Sequence, residues 1–314
     1  MAAQLQSVLG DALGLEIGVI KAGVPAEVYH ERRLDVASNG GLSVIDEGTP
    51  KHFHWWVHHP EADKDSPPLV FGRALHCATL EPEVFRDTYI VLPEDAPRDL
   101  RYLRNAAKPS DATKAAIDWW DTWEARSLGK TMLAADAFAQ AEAMAASLRA
   151  LELEFPEIGV EITVGELLAE CQTEVTLCWV DERTGVICKA RADLWAPDLG
   201  LAMDLKSCES ACREPFSRAV HRHRYHVQHA HYCEGFRACG QPVRSFVFLP
   251  VEKNEPHVSA AWHIDAPSEE LGYEIRNRSL DKLAACLKSG RWPGPTTGIG
   301  SLTLPAYAFY NAQE

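Results

Sequence analysis

Between residues 171 and 207 the chain spells out three strands in tandem, and this run limits the folds open to it more than any other feature. CQTEVTLCWV (171–180) alternates polar and apolar residues, DERTG turns, and VICKARADLWA (186–196) alternates again, a hairpin pattern in which Gly185 closes the turn. After the break APDLG a third strand follows at 201–206. A long helical segment, about 211–238, is then ended by Gly240 and Pro242. A strand at 245–251, another near 257–264 and a helix from about 268 to 289 complete the core.

Upstream the pattern is looser. Residues 1–60 read as irregular, with short helical patches and a loop, SNGGLSVIDEGTP, punctuated by Asn-Gly-Gly and Thr-Pro. FGRALHCATL (71–80) predicts a short buried helix whose Gly and Ala permit close packing, and 92–109 is a Pro-containing loop carrying Arg98, Arg101 and Arg104. Ser110 is placed to cap a helix through about 127, and an Ala-rich helix runs from about 134 to 154. With no internal repeat and no low-complexity linker, residues 1–314 are expected to form one domain. Its parts are an irregular or helical N-terminal arm (1–60), a core (61–290) with a helical insertion at about 110–155, and a Pro/Gly-rich tail (291–314).

Composition excludes several classes. With 46% hydrophobic and 24% charged residues the chain is neither disordered, collagenous nor a pure coiled coil. No stretch approaches the ~18 apolar residues that cross a bilayer. The opening MAAQLQSVLGDALGLEIG lacks the basic and apolar regions of a signal peptide, so a cytoplasmic protein that does not engage membranes is expected. The nine cysteines are odd in number and contain no CxxC, and they read as reduced thiols filling strands and helices. Cys208 and Cys212 stand at helical spacing, but the other spacings do not fit an iron–sulfur cluster.

A net charge of −14 argues against nucleic acid globally. Yet residues 207–244 hold six Arg against three Glu, with His221, His223, His226, His229 and His231 interleaved, so one segment is basic within an acidic chain. Helical spacing spreads those histidines around the axis, and no carboxylate completes a HExxH-type site, so they are not read as a transition-metal centre.

Candidate chemistry centres on Asp193 in KARADLW and Asp204 in MDLKS, with Lys206 two residues further on. On a strand, residues i and i+2 share a face, so Asp204 and Lys206 project together while Leu205 points into the core. If the strands pair, two carboxylates and one ammonium converge, which suits Mg²⁺ and a water oriented for attack. Taken alone, DLK reads first as a strand end with solvated charges. Its company changes that reading. His76 in GRALH is either a satisfied core histidine or a third ligand, and Glu174 either faces the cleft of Asp193 or is a hairpin charge. Gln228 and Tyr232 lie at i and i+4 on one helical face, and Arg224 and His221 extend that stripe, which is suited to phosphates and sugar edges.

In order, GRALH (72–76), TEVTLCW (173–179), RADLW (191–195), DLKS (204–207) and RYHVQHAHY (224–232) resemble the PD-(D/E)xK nuclease superfamily, and more narrowly the phage-type RecE or exodeoxyribonuclease VIII-like exonucleases. VYHERRLDVASNGGLSVIDEGTPKHFHWW also resembles that family's opening, where a Ser-rich loop precedes a helix. The similarity spans roughly residues 28–290. It implies an α/β (α+β) fold with a restriction-endonuclease-like core, a central mixed sheet flanked by helices and an α-helical N-terminal elaboration. It further implies that His76, Asp193, Asp204 and the Leu205 carbonyl are metal ligands, that Lys206 activates the water, and that Glu174 assists. Gln228 and Tyr232 match the family's QxxxY helix, which lines the DNA cleft.

The expected function is therefore a Mg²⁺-dependent deoxyribonuclease, with Mn²⁺ able to substitute, acting 5′→3′ on linear double-stranded DNA to make single-stranded tails for recombination or repair. The resemblance also implies a bacterial or phage-encoded protein, a ring-shaped homo-oligomer and a single-strand annealing partner. Two alternatives stand beside it. One is a catalytically silent DNA-binding or assembly module; the other is a Cas4- or AddB-like subunit of a larger complex.

Overall fold

A computed structural model of the chain describes residues 14–60, 66–155, 159–296 and 298–305. The opening of the N-terminal arm (1–13) and the end of the tail (306–314) lie outside the described residues. From Val19 onward that arm is ordered into β1 (Val19–Lys21), α1 (Ala26–His30), β2 (Val36–Ser38), α2 (Asn39–Glu47) and α3 (Pro50–His58). The stretch that Asn-Gly-Gly marked as a loop is thus a helix. Ser38 caps α2 by accepting from the Gly41 N–H. A Cβ on Gly41 would sit 2.9 Å from Phe53 Cε2, so glycine there is what lets α2 approach α3.

α4 (Pro67–Leu80) starts earlier than position 71, with proline in its first turn. α5 (Pro82–Thr88), β3 (Tyr89–Val91), α6 (Asp111–Ser127), β4 (Thr131–Leu133) and α7 (Ala135–Ala150) follow. Ser110 caps α6 through the Thr113 N–H, as its position predicts. α7 stops short of 154 because Glu152–Phe155 forms β5, which pairs with β6 (Val160–Thr163) ahead of α8 (Val164–Glu170).

The tandem strands form where their alternation predicts: β7 (Gln172–Val180), β8 (Ile187–Ala196) and β9 (Leu201–Cys208), with Gly185 in the turn at φ 74°. The long helical segment is two helices, α9 (Arg213–Arg222) and α10 (Tyr225–Ala238). They are separated at Arg224, whose φ of 60° lies in the left-handed region. β10 (Ser245–Glu252) and α11 (Ala266–Ser289) complete the chain. The strand expected near 257–264 reduces to two isolated bridges, Phe248 to Trp262 and Val251 to Ser259.

The main sheet runs β1-β7-β8-β9-β10, with β2 added to β8. β1/β7, β7/β8 and β8/β9 are antiparallel while β2/β8 and β9/β10 are parallel, so the sheet is mixed. Helices cover both faces. Trp179, Trp195, Phe236 and Phe248 share one core with α2, α3, α10 and α11, and Leu194, Met203, Leu205 and Leu249 share the other with α4, α7 and α8. Each fully buried large side chain contributes ~1.5–3 kcal/mol. The N-terminal arm is therefore part of the core rather than an appendage. No helix among the described residues is long and apolar enough to cross a membrane.

Two irregularities interrupt the centre of the sheet, and both bring polar side chains together. The second edge of β8 is shared: β2 takes Ile187–Lys189 and β9 takes Leu194–Ala196, and among the described residues no strand takes 190–193. The sheet forks there. β8 also turns over at Asp193, since Ala190 and Ala192 enter one core whereas Leu194 and Ala196 enter the other, although a two-residue period would keep all four on one face. Opposite this point, Glu174 of β7 has φ 50°, and the ladder steps from Thr173–Leu194 to Val175–Ala192 without pairing Glu174 to Asp193.

Candidate active site

Asp193 lies at the fork, where β9 leaves β8. Its Oδ2 accepts the Leu205 N–H at 2.7 Å, a bond that β8 would otherwise have made through its backbone. Its Oδ1 is 3.5 Å from His76 Nδ1, and His76 Nε2 is 3.2 Å from the Leu205 carbonyl oxygen. α4 buries Ala74, Leu75 and Ala78 against the sheet, which leaves His76 aimed at the fork. From the other layer, Gln228 of α10 donates through Nε2 to Asp204 Oδ1. Lys206 Nζ pairs with Asp204 Oδ2 and sits 4.5 Å from the centroid of the Tyr225 ring. As strand parity predicts, Leu205 enters the core while the Asp204 and Lys206 side chains meet.

Glu174 joins this group. Ligand atoms of His76, Glu174 and Asp193 all lie within 4.8 Å of one another, the only such grouping of His, Cys, Asp and Glu among the described residues. The left-handed backbone at Glu174 is unusual for a non-glycine residue inside a strand, and strained conformations of this kind gather at functional sites. Arg191 Nη1 lies 3.6 Å from Glu174 Oε2, while its Nη2 donates to the Val24 carbonyl and its guanidinium lies 4.4 Å from the Tyr29 ring centroid.

The charges are unevenly shared. Burial pushes the Asp193 carboxyl up, but His76, Lys206 and the Leu205 N–H outweigh it and hold it below the usual carboxylate range. Burial raises Asp204 to about 6, with Lys206 opposing and Asp193 adding to the rise. Burial and the Asp193 charge raise Glu174 to about 7. For His76, burial pulls the imidazole down, but Asp193 above all carries it up to about 9. Burial likewise opposes the charge on Lys206, and Asp204 overcomes it, raising the ammonium.

Three carboxylates thus crowd one largely buried space, and two of the three resist ionisation. Asp204 Oδ2 is buried and, among the described residues, accepts no hydrogen bond of good geometry; it is paired with the Lys206 ammonium. An added divalent cation would let all three ionise together. Hard carboxylate oxygens with one imidazole form a donor set suited to such an ion, so the residues fit a metal site.

The cleft around these groups has a volume of about 1390 Å³ and includes Gln228 and Tyr232 in its wall. Arg32, Arg73, Lys189 and Arg191 also line it. The other two members of the predicted helical stripe lie elsewhere. Arg224 pairs with Asp46 at 3.1 Å and with Glu47 at 3.4 Å, both on α2. His221 stacks on His226 and lines a separate cavity of about 390 Å³ with Arg213 and Trp262. The stripe fails because the helix breaks at Arg224, which rotates the preceding turns away from Gln228. The buried histidines further along α10 are structural: His231 Nε2 meets the Lys189 carbonyl at 3.0 Å, and His229 lies 3.4 Å from Glu269.

Arg191, Tyr29 and Tyr225 were not singled out from the sequence. Arg191 stands two residues before Asp193 on the same strand, a spacing that could have found it. Tyr29 and Tyr225 carry no comparable signal.

A family model described as a PDDEXK-like domain of unknown function (DUF3799) matches residues 46–302. The crystal structure of a "putative exonuclease" from Eubacterium rectale superposes with a TM-score of 0.55 at 13% identity, covering 92% of this chain and 98% of that one. No curated protein matches the chain.

Proposed function

The chain belongs to the family of the PDDEXK-like domain DUF3799, and from that premise we propose that it is a divalent-metal-dependent deoxyribonuclease, an exonuclease of the RecE kind. One observation carries the reading: Asp193, Asp204, Lys206, Glu174 and His76 converge where the sheet forks. Held by His76, Glu174, Asp193, Asp204 and the Leu205 carbonyl, Mg²⁺, or Mn²⁺ in its place, would polarise the scissile phosphodiester and make a nearby water acidic.

The protein's own part is orientation and charge. Lys206 directs the water toward phosphorus and offsets the negative charge that develops on the phosphoryl oxygens. Gln228 fixes the Asp204 carboxylate, the Leu205 N–H fixes Asp193, and Arg191 holds Glu174. Arg32 and Arg73 place cations on the cleft wall that suit a phosphate backbone within a chain of net charge −14, although Glu27, Glu31 and Glu81 line it too. On this reading the substrate is the end of linear double-stranded DNA and degradation runs 5′→3′. The product is a single-stranded tail for recombination, taken up by an annealing partner, and copies of the chain close into a ring around DNA in the cytoplasm.

Incubation of linear and circular duplex DNA, labelled separately at 5′ and 3′ ends, with Mg²⁺ or EDTA tests this. The expected result is metal-dependent loss of the 5′ label from linear DNA alone. Loss from the 3′ end would overturn the polarity, and cutting of circles would overturn the exonuclease. DNA bound but uncut with Mg²⁺ or Mn²⁺ would favour the silent binding module.

A further inference from the structure

We infer that α3 carries a base-stacking site for single-stranded DNA at the rim of the cleft, built by Trp55 and His59. Trp55 keeps 53% of its surface exposed, which is unusual for so large an apolar side chain. Its ring lies parallel to that of His59, one helical turn on, with centroids 4.5 Å apart at 13°. His59 Nδ1 lies 2.8 Å from the Trp55 carbonyl oxygen, so the imidazole is held in the stacked position. The pair is a pre-formed flat π surface facing water.

Its surroundings identify the occupant. Phe53 and Val57 bury the inner side of α3. The exposed positions are Lys51, His52, Trp55 and His58, with no aliphatic side chain among them. An interface for an apolar protein partner would set such a tryptophan among aliphatic neighbours. From Pro50 to His59 the chain has one Lys, four His and no Asp or Glu, against a net charge of −14 overall. An anionic ligand with π faces meets both features.

Continuity with the cleft narrows the ligand to a polynucleotide. Trp56, the next residue, lines the cleft wall, and the Arg32 guanidinium lies 3.9 Å from its ring centroid. Trp55 precedes it on the same helix, with its ring on the exposed face about 100° round the axis from Trp56. Inside a duplex the bases are stacked on one another and only the terminal pair shows a face, whereas a single strand can offer one at every base. The site rests on the nuclease reading for its ligand.

The test is fluorescence anisotropy in EDTA, where no cleavage occurs, with labelled oligo-dT and a blunt duplex of equal length. Trp55→Ala should weaken oligo-dT binding by about tenfold, as loss of one base–aromatic stack does. Trp55→Phe should stay within threefold of wild type, His59→Ala should lose about threefold, and duplex binding should be unchanged. Oligo-dT binding unaffected by Trp55→Ala, absent from the wild type, or lost in parallel with duplex binding would overturn the proposal. If the wild type cuts no DNA yet Trp55→Ala selectively weakens oligo-dT, the stacking site stands and the nuclease reading falls.

Discussion

Replacing Gly272 by alanine should destabilise the protein and, if it is the nuclease proposed above, slow cleavage as well, although alanine is the better helix former. Gly272 lies within α11 where that helix crosses α10, and a Cβ there would stand 2.1 Å from the His226 carbonyl oxygen and 2.8 Å from its carbon. A tolerable carbon–oxygen contact is ~3.3 Å, so the helices must separate by roughly 1 Å, and a backbone atom cannot swing aside as a side chain can. Overpacking of this kind costs ~3 kcal/mol at the upper end of its usual range, and the gain in helix propensity returns ~1 kcal/mol. The net loss is about 2 kcal/mol, read as a lower urea midpoint at unchanged slope. Because α10 carries Gln228 and Tyr232, an ångström of displacement at the fork should also slow cleavage by ~10²-fold. Gly72 on α4 provides the contrast, since a Cβ there meets nothing within 4 Å. Gly72→Ala should stabilise by ~0.5–1 kcal/mol. A Gly272→Ala protein as stable as Gly72→Ala would refute the close helix crossing.

Three further outcomes are expected. Arg276→Met should cost ~3 kcal/mol in urea titration, because Arg276 and Asp181 pair at 3.0 Å with side chains only 3% and 4% exposed, and the loss leaves a buried carboxylate without its counter-charge, held only by Thr184 among the described residues. Burial lowers His231 to about 3 and His229 to about 4. Below pH 6.5 each of these imidazoles binds a proton in the unfolded chain but not in the folded one, so each takes stability away as pH falls toward 4, by ~2–3 kcal/mol for His231, while Glu174 and Asp204, raised to about 7 and about 6, work in the opposite direction. His231→Leu removes one of these contributions and should gain stability relative to the wild type in melts as the pH falls from 7 to 4.5. Finally, Mn²⁺ at ~100 times its dissociation constant should stabilise the wild type by ~2.7 kcal/mol, and His76→Ala with Asp193→Asn should abolish the thermal shift.

What the sequence makes legible is what depends on local periodicity. The hairpin follows from period-two alternation, β9 from the break at APDLG, the common face of Asp204 and Lys206 from strand parity, and the Ser110 cap from its position. What it hides depends on contacts between distant segments. Arg224 breaks a helix without glycine or proline because Asp46 and Glu47, far away in sequence, hold its guanidinium. α2 forms despite Gly-Gly because one of those glycines is needed against Phe53. The turnover of β8 at Asp193 and the left-handed Glu174 opposite it break the pattern that makes strands readable, and they do so where the carboxylates gather.

If the chain is a nuclease of the proposed kind, Lys206, beside Asp204 at the fork, acts on the phosphodiester rather than serving as a structural partner of a buried carboxylate. Single-turnover cleavage of end-labelled duplex DNA by wild type and Lys206→Ala at saturating Mg²⁺, with DNA affinity measured in EDTA and folding checked by thermal melt, tests it most directly. The expected result is a rate lower by ~10²–10³-fold, with affinity within threefold of wild type and a preserved cooperative melt. A folded Lys206→Ala protein that cuts at the wild-type rate would contradict it.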